Sequence, residues 1–229
     1  MSDPDLPPFT EAFATTRDGS GTGFVLAQIE ANLAAAGRGR GRGPILWVQD
    51  RRATQEAGLP CLRGIAATGL GMPILRVGAR GAAEALWAME EGLECAALSA
   101  VVGEVWGNPK ALDFTATKRL ALRAARSGVP VWLLRQDAAA DLSVAPERWR
   151  LVSAASEANP LDARAPGEAR WLAELFRSRR RTPGIWMAGH DRAAHRVDLA
   201  APLRDGPVGA GGGHAPADTS RAVGGGRRA

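Results

Sequence analysis

The chain has 229 residues, of which 45% are hydrophobic, and a formal net charge of +5. This length and composition are typical of a single soluble globular domain with a sizeable core. No run approaches the roughly 20 apolar residues of a membrane-spanning helix, and the acidic, proline-rich start does not resemble a signal peptide, so we expect a cytoplasmic protein. The two cysteines, Cys61 and Cys95, lie outside any disulfide or zinc motif, so neither a metal nor a cofactor is predicted.

The positive charge comes almost entirely from arginine, because the only lysines are Lys110 and Lys118. A pI near 10.4 would normally favour a nucleic-acid partner. However, abundant arginine together with alanine and glycine is also expected of a GC-rich genome, whatever the function. Charge alone therefore leaves contact with DNA open.

Strand and helix patterns alternate over residues 9–135. The predicted strands are 9–16, 44–50, 73–77, 98–105 and 129–134, and the predicted helices are 22–36, 81–94 and 112–126. Such alternation predicts an α/β fold with a mostly parallel sheet flanked by helices and right-handed crossovers.

The pattern changes beyond residue 135. Short strand-like runs separated by turns occupy residues 148–152, 170–176, 184–188 and 195–199. They predict a β-rich, partly antiparallel extension over residues 146–203. We expect residues 1–8 to be flexible and residues 204–229, rich in glycine, alanine and proline, to be disordered because they cannot bury a core.

A glycine-rich segment precedes the first predicted helix, at the position of a phosphate-binding loop. In a working P-loop a lysine reaches the phosphates and a Ser/Thr hydroxyl holds Mg²⁺, but the Lys-Ser/Thr pair is missing here. Asp50 and Glu104 end predicted strands, where α/β proteins place their sites. We interpret the set as a vestigial nucleotide loop, or as a strand-to-helix turn kept for its shape: Gly19, Ser20, Gly21, Thr22, Gly23, Asp50 and Glu104.

Two groups of arginines are candidates for a surface that contacts DNA or a partner, because arginine binds phosphates bidentately. One face of the helix over 112–126 carries Arg119, Arg123 and Arg126; a tighter run contains Arg177, Arg179, Arg180 and Arg181. The alternative for the helix face is an ordinary solvated surface.

The seven tryptophans divide into two predicted groups. Trp47, Trp87, Trp106 and Trp132 lie in or beside core elements and are expected to pack there, whereas Trp149, Trp171 and Trp186 are candidates for a protein interface. His190 and His195 flank a predicted turn, and no further ligand cluster points to a metal site there.

Several segments together resemble the ImuA family, the RecA-like accessory proteins of bacterial mutagenesis cassettes. The similarity is collinear over about residues 9–200. It is carried by EALWAMEEGL (84–93), VGEVWG (102–107), LDFTATKRLAL (112–122), VWLLR (131–135), RWR (148–150), LFRSRR (175–180) and GIW (184–186).

The resemblance implies a RecA-like domain over residues 9–203 with its core at 9–135. Glu104 would then stand near the Walker B acid and Asp50 near the catalytic carboxylate. It also implies a non-enzymatic role in the DNA-damage (SOS) response, supporting translesion synthesis and induced mutagenesis. The implied partners are an ImuB-like inactive relative of Y-family polymerases and an error-prone DnaE-type polymerase, with RecA and direct DNA contact as further candidates. A weak RecA-type ATPase and a SulA-like inhibitor of cell division are the alternatives.

Overall fold

The computed structural model describes residues 8–35 and 43–201, so the predicted disordered tail and all but the last residue of the predicted flexible start lie outside it. Its strands are β1 (Phe9–Ala14), β2 (Ile45–Asp50), β3 (Ile74–Ala79), β4 (Ala100–Trp106), β5 (Val131–Gln136), β6 (Glu147–Ala154), β7 (Arg170–Ser178), β8 (Gly184–Asp191) and β9 (Arg196–Ala200). Its helices are α1 (Ser20–Ala35), α2 (Arg51–Ala57), α3 (Leu62–Ala67), α4 (Ala82–Gly92) and α5 (Phe114–Ser127).

All nine strands of the described residues belong to one mixed sheet, in the order β3-β2-β4-β5-β1-β6-β7-β8-β9. The six strands from β3 to β6 run parallel, and β7, β8 and β9 follow as antiparallel hairpins. The predicted α/β class is therefore confirmed. The β-rich extension does not form a separate layer, because β6 pairs in parallel with β1 and continues the central sheet.

Apolar side chains on the two faces of the sheet form two cores. On one face α1 contributes Phe24 and Ile29, which pack in the same cluster as Trp149 of β6. On the other face Met89 of α4 and Leu120 of α5 are fully buried. The helices thus lie on opposite sides of the parallel strands, as burial of a sheet on both faces requires.

Local sequence signals set the ends of α5. Asp113 caps its N-terminus by accepting a hydrogen bond from the Ala116 N–H at 2.7 Å. Gly128 ends it in the left-handed conformation at φ 71°, which glycine adopts without strain. The predicted helix over 112–126 is confirmed to within two residues.

The C-terminal strands leave one of their faces open to solvent. Val152, Leu172 and Met187 are direct cross-strand partners on β6, β7 and β8, so their side chains share that face. Val152 is 49% exposed and Leu172 is 38% exposed. Ile185 of β8, paired with Glu174, lies on the same face and is 49% exposed. We call Val152, Leu172, Ile185 and Met187 the open face.

Candidate functional site

The glycine-rich segment is mostly helix rather than loop. Gly19 alone precedes α1 and has a positive φ of 62°, while Ser20, Gly21, Thr22 and Gly23 form the first helical turn. The helix therefore begins two residues earlier than predicted. Of the two interpretations of this segment, a vestigial nucleotide loop and a strand-to-helix turn, this geometry favours the turn.

Close packing explains why two of these positions are glycine. A Cβ on Gly21 would lie 2.5 Å from Leu134 Cδ1 and 2.8 Å from Ala14 Cβ, closer than carbon atoms approach. A Cβ on Gly23 would lie 3.1 Å from Trp171 Cζ2. The glycines allow α1 to approach the sheet, and this supports the interpretation of a turn kept for its shape.

A carboxylate already occupies the N-terminus of α1. Asp18 Oδ1 accepts the Ser20 N–H at 2.9 Å, and Asp18 Oδ2 accepts the Ser153 N–H at 3.1 Å. Burial raises the pKa of Asp18, but the hydrogen bonds from Ser20 and Ser153 outweigh burial and hold this pKa below its ordinary value. An ionised aspartate thus takes the position that favours an anion at a helix N-terminus. Sequence reasoning missed Asp18, although an aspartate just before a helix is a recognisable signal.

Glu104 lies deep between β2 and β5 and is 2% exposed. Its Oε2 accepts hydrogen bonds from Gln49 Nε2 at 2.8 Å and from Trp47 Nε1 at 3.3 Å, and its Oε1 accepts one from Gln136 Nε2 at 2.8 Å. All three donors are neutral. Burial therefore raises the pKa of Glu104 above its ordinary value despite these hydrogen bonds.

Asp50 ends β2 as predicted, but its carboxylate serves the backbone. Oδ1 accepts the Ala53 N–H at 2.7 Å and caps α2, while Oδ2 accepts the Trp106 N–H at 3.2 Å. Within residues 8–35 and 43–201, no group of three or more His, Cys, Asp or Glu side chains is arranged to hold a metal ion. Asp50 therefore has a structural role at the end of β2, and the turn lacks the lysine of a phosphate-binding loop.

A cavity of about 330 Å³ opens beside the glycine turn. Its walls come from α1, β2, β4 and the segment from the end of α2 through α3. We call it the glycine-turn cavity; its lining residues include Thr22, Leu26, Trp47, Gln49, Cys61 and Glu104. The structure thus brings the predicted glycine segment and Glu104 to one cavity, whereas Asp50 does not line it.

The predicted cationic face of α5 is instead an ion-pair layer between α4 and α5. Arg119 donates to Glu90 at 2.8 Å, Arg123 donates to Glu94 at 2.7 Å, and Arg126 also donates to Glu94. The arginines are present at the predicted helical spacing, but Glu90 of α4 and Glu94, just beyond the end of α4, pair with them. These acidic partners could not be read from the sequence, because helix periodicity does not show which charges a neighbouring segment supplies.

The arginine run after β7 is also partly engaged within the fold. Arg181 contacts the Glu147 carboxylate at 3.2 Å and lies 5.4 Å from the ring centroid of Trp149. Arg177 donates to the Ser143 carbonyl at 3.0 Å. Arg179 and Arg180 are exposed at the turn between β7 and β8. The Arg181 side chain remains 46% exposed despite this pairing, so the exposed part of the run is Arg179, Arg180 and Arg181, and Arg177 is half-buried.

The tryptophans follow the predicted division only in part: Trp47 and Trp132 are buried as predicted. Trp149 and Trp171 are 1% and 5% exposed, and Trp186 is half-buried against the same core. Their rings form an aromatic cluster with Phe24, at centroid distances of 5.3 Å to Trp149 and 5.9 Å to Trp171. The prediction of an interface at Trp149 and Trp171 is wrong, because α1 covers this face of the extended sheet. Conversely Trp87, predicted to pack, is 62% exposed.

A buried acid on α1 joins the last hairpin to the helix. Glu30 accepts from His190 Nε2 at 3.1 Å and also contacts His195 Nδ1. The sequence did not predict this contact, because Glu30 precedes the two histidines by 160 residues or more. The contact fastens β8 and β9 onto α1.

Within the described residues, no helix is both long and apolar enough to cross a bilayer. A comparison with known protein families finds no family model that matches the chain. A comparison with curated proteins finds no significant match either.

Proposed function

We propose that this chain is a non-enzymatic, RecA-like accessory protein of the ImuA type that acts in the DNA-damage (SOS) response. It would support error-prone translesion synthesis by docking an ImuB-like protein and a DnaE-type polymerase. The observation that carries the non-enzymatic part is the Asp18 carboxylate bound at the N-terminus of α1.

The topology around the glycine turn supports the RecA-like part of the proposal. β1, the glycine turn and α1 form a strand–turn–helix unit, and β1 lies inside the sheet between the parallel strands β5 and β6. Glu104 and Asp50 lie near the carboxyl ends of neighbouring strands β4 and β2. This arrangement is what the proposal requires of a RecA-like scaffold that has lost its phosphate-binding chemistry.

The electrostatics of the turn argue against nucleotide hydrolysis. A helix N-terminus carries about half a positive charge, which Asp18 offsets with a full negative charge. A triphosphate placed there would meet this carboxylate and, deeper in the cavity, Glu104. No lysine is present in the turn to compensate for that repulsion.

The open face supports a docking role. It presents adjacent apolar side chains on three strands, and Arg150 and Glu174 form an ion pair beside them. An apolar centre with a polar border is the usual composition of a protein interface. We assign this face to the ImuB-like partner.

A binding experiment tests the docking role directly. The purified chain is passed over an immobilised ImuB-like protein from the same bacterium, as wild type and with Val152→Lys plus Leu172→Lys. We expect the double variant to lose at least tenfold in affinity, because it places two charges in the apolar centre. The matched control is Leu122→Lys on α5, which is 61% exposed in the wild type and should bind normally.

Three results would contradict the proposal. Equal affinity of the wild type and the double variant, with folding verified by circular dichroism, would exclude the open face. Saturable heat on titration with ATP and Mg²⁺ would favour the weak ATPase. Capture of a division GTPase in place of the polymerase-like partner would favour the SulA-like alternative.

A further inference from the structure

The glycine-turn cavity is lined by a residue with an unpartnered, buried hydrogen-bond acceptor. Gln49 is 1% exposed and lines the cavity, and its Oε1 has no hydrogen-bond partner. Its amide orientation is set, because Nε2 donates both to the Gly58 carbonyl at 2.9 Å and to Glu104 Oε2 at 2.8 Å. A reversed amide would place an oxygen against two acceptors. The unpartnered atom is therefore an acceptor.

The neighbouring acceptor is the Glu104 carboxyl group, whose three hydrogen-bond donors are all neutral. Glu104 and Gln49 are register partners on β4 and β2, so their side chains lie side by side at the cavity. None of the fifteen described residues that line the cavity is Lys, Arg or His. A buried carboxylate without a cationic partner is costly, and a bound cation would relieve that cost.

The N-terminus of α1, which also lines the cavity, would by itself disfavour a cation. Its partial positive charge amounts to about half an elementary charge. Asp18 is hydrogen-bonded to the first turn and offsets that charge. Among the fifteen described lining residues Glu104 supplies the single carboxyl group, and a carboxyl group favours a positive ligand over a phosphate.

We propose that the glycine-turn cavity binds a small planar organic cation of the amidinium or guanidinium class. Its N–H donors would bind the Glu104 carboxylate and Gln49 Oε1, because a forked group can serve two adjacent acceptors. Its apolar part would pack against Leu26, Pro60 and Ile65. The volume of about 330 Å³ lies near the lower end of the range for ligand pockets, which limits the ligand to a small molecule. This site goes beyond the docking role and does not depend on it.

Thiol protection provides a test on the full chain, with benzamidine as the probe. Cys61 lines the cavity and is exposed, and Cys95 is the only other cysteine. In a Cys95→Ser background, we expect benzamidine to slow the reaction of Cys61 with Ellman's reagent at least fivefold, in a saturable manner. In the matched Cys61→Ser protein, the rate at Cys95 should not change.

Calorimetric titration with benzamidine then tests whether Glu104 is the acceptor. We expect Glu104→Gln, which keeps the side-chain shape and removes the charge, to weaken benzamidine binding at least tenfold. The matched control, Glu90→Gln, removes a buried acid between α4 and α5 and should bind as the wild type does. Absence of Cys61 protection, equal affinity of the Glu104→Gln protein, or equal protection by ATP would each overturn the proposal.

Discussion

The indole ring of Trp171 packs on the first turn of α1 at Gly23, where an added Cβ would lie 3.1 Å from the Trp171 Cζ2 atom. The sequence suggests two separate functional features at these positions, a nucleotide loop and a partner surface. The structure joins them in one core contact. Glycine is present at this turn because an aromatic side chain from β7 needs the space.

The same reasoning predicts opposite effects for two glycine-to-alanine changes. Gly21→Ala should lower the free energy of unfolding by about 1–3 kcal/mol, because the new methyl group overlaps Leu134 and Ala14. Gly64→Ala in α3 has its nearest neighbour at 3.7 Å and should be neutral or stabilising by up to about 1 kcal/mol. Urea unfolding of both variants measures the difference, and equal effects would contradict the packing explanation.

Two tryptophan truncations distinguish core from surface. Trp171→Ala should cost about 3–5 kcal/mol of unfolding free energy, since the ring is 5% exposed and touches Phe24. Trp87→Ala should cost less than about 1 kcal/mol, because the side chain is 62% exposed. Thermal and urea denaturation provide the measurements. A large loss for Trp87→Ala would show that this surface is covered in solution.

Replacing Asp18 should destabilise the turn in a pH-dependent way. Asp18→Ala removes two hydrogen bonds to backbone N–H groups, at an expected cost of about 1–2 kcal/mol near neutral pH. Because the pKa of Asp18 is lowered by folding, its contribution is present above the ordinary pKa of 3.8 and is lost as pH falls through the lower folded pKa. The wild-type and variant curves of stability against pH should therefore converge in acid; a constant gap would argue against this role.

The contribution of Glu104 to the free energy of unfolding should change with pH in the opposite direction. Because burial raises its pKa in the folded state, the native protein binds the proton more tightly than the unfolded chain. Its ionisation therefore lowers stability as pH rises from its ordinary pKa of 4.5 through the raised folded value. In Glu104→Gln this part of the decline should disappear, so the variant gains stability relative to the wild type as pH rises. Denaturant titrations across this range measure the difference, and parallel curves would show that Glu104 keeps an ordinary pKa.

Some helices and their ends could be predicted from the local sequence, whereas contacts between distant residues could not. The helix over 112–126 was predictable because its periodicity and its caps at Asp113 and Gly128 are local. The partners of Arg119 and Arg123 were not, because Glu90 of α4 and Glu94, which follows α4, meet them only when the two helices pack side by side. Burial of Trp149 was not predictable either, since β6 joins the sheet beside β1, more than 130 residues earlier in the chain.

The amino-acid pattern was sufficient to predict the class of the fold, through its alternating strands and helices and the change to short strands after residue 135. It also showed that the glycine turn has no lysine. Those signals are local, because backbone preferences and hydrophobic spacing act over a few residues. Which side chains meet depended on the tertiary structure. Asp18 reaches the start of α1 and the end of β6, and Glu104 lies buried among neutral donors, because sheet pairing brings together residues far apart in the chain.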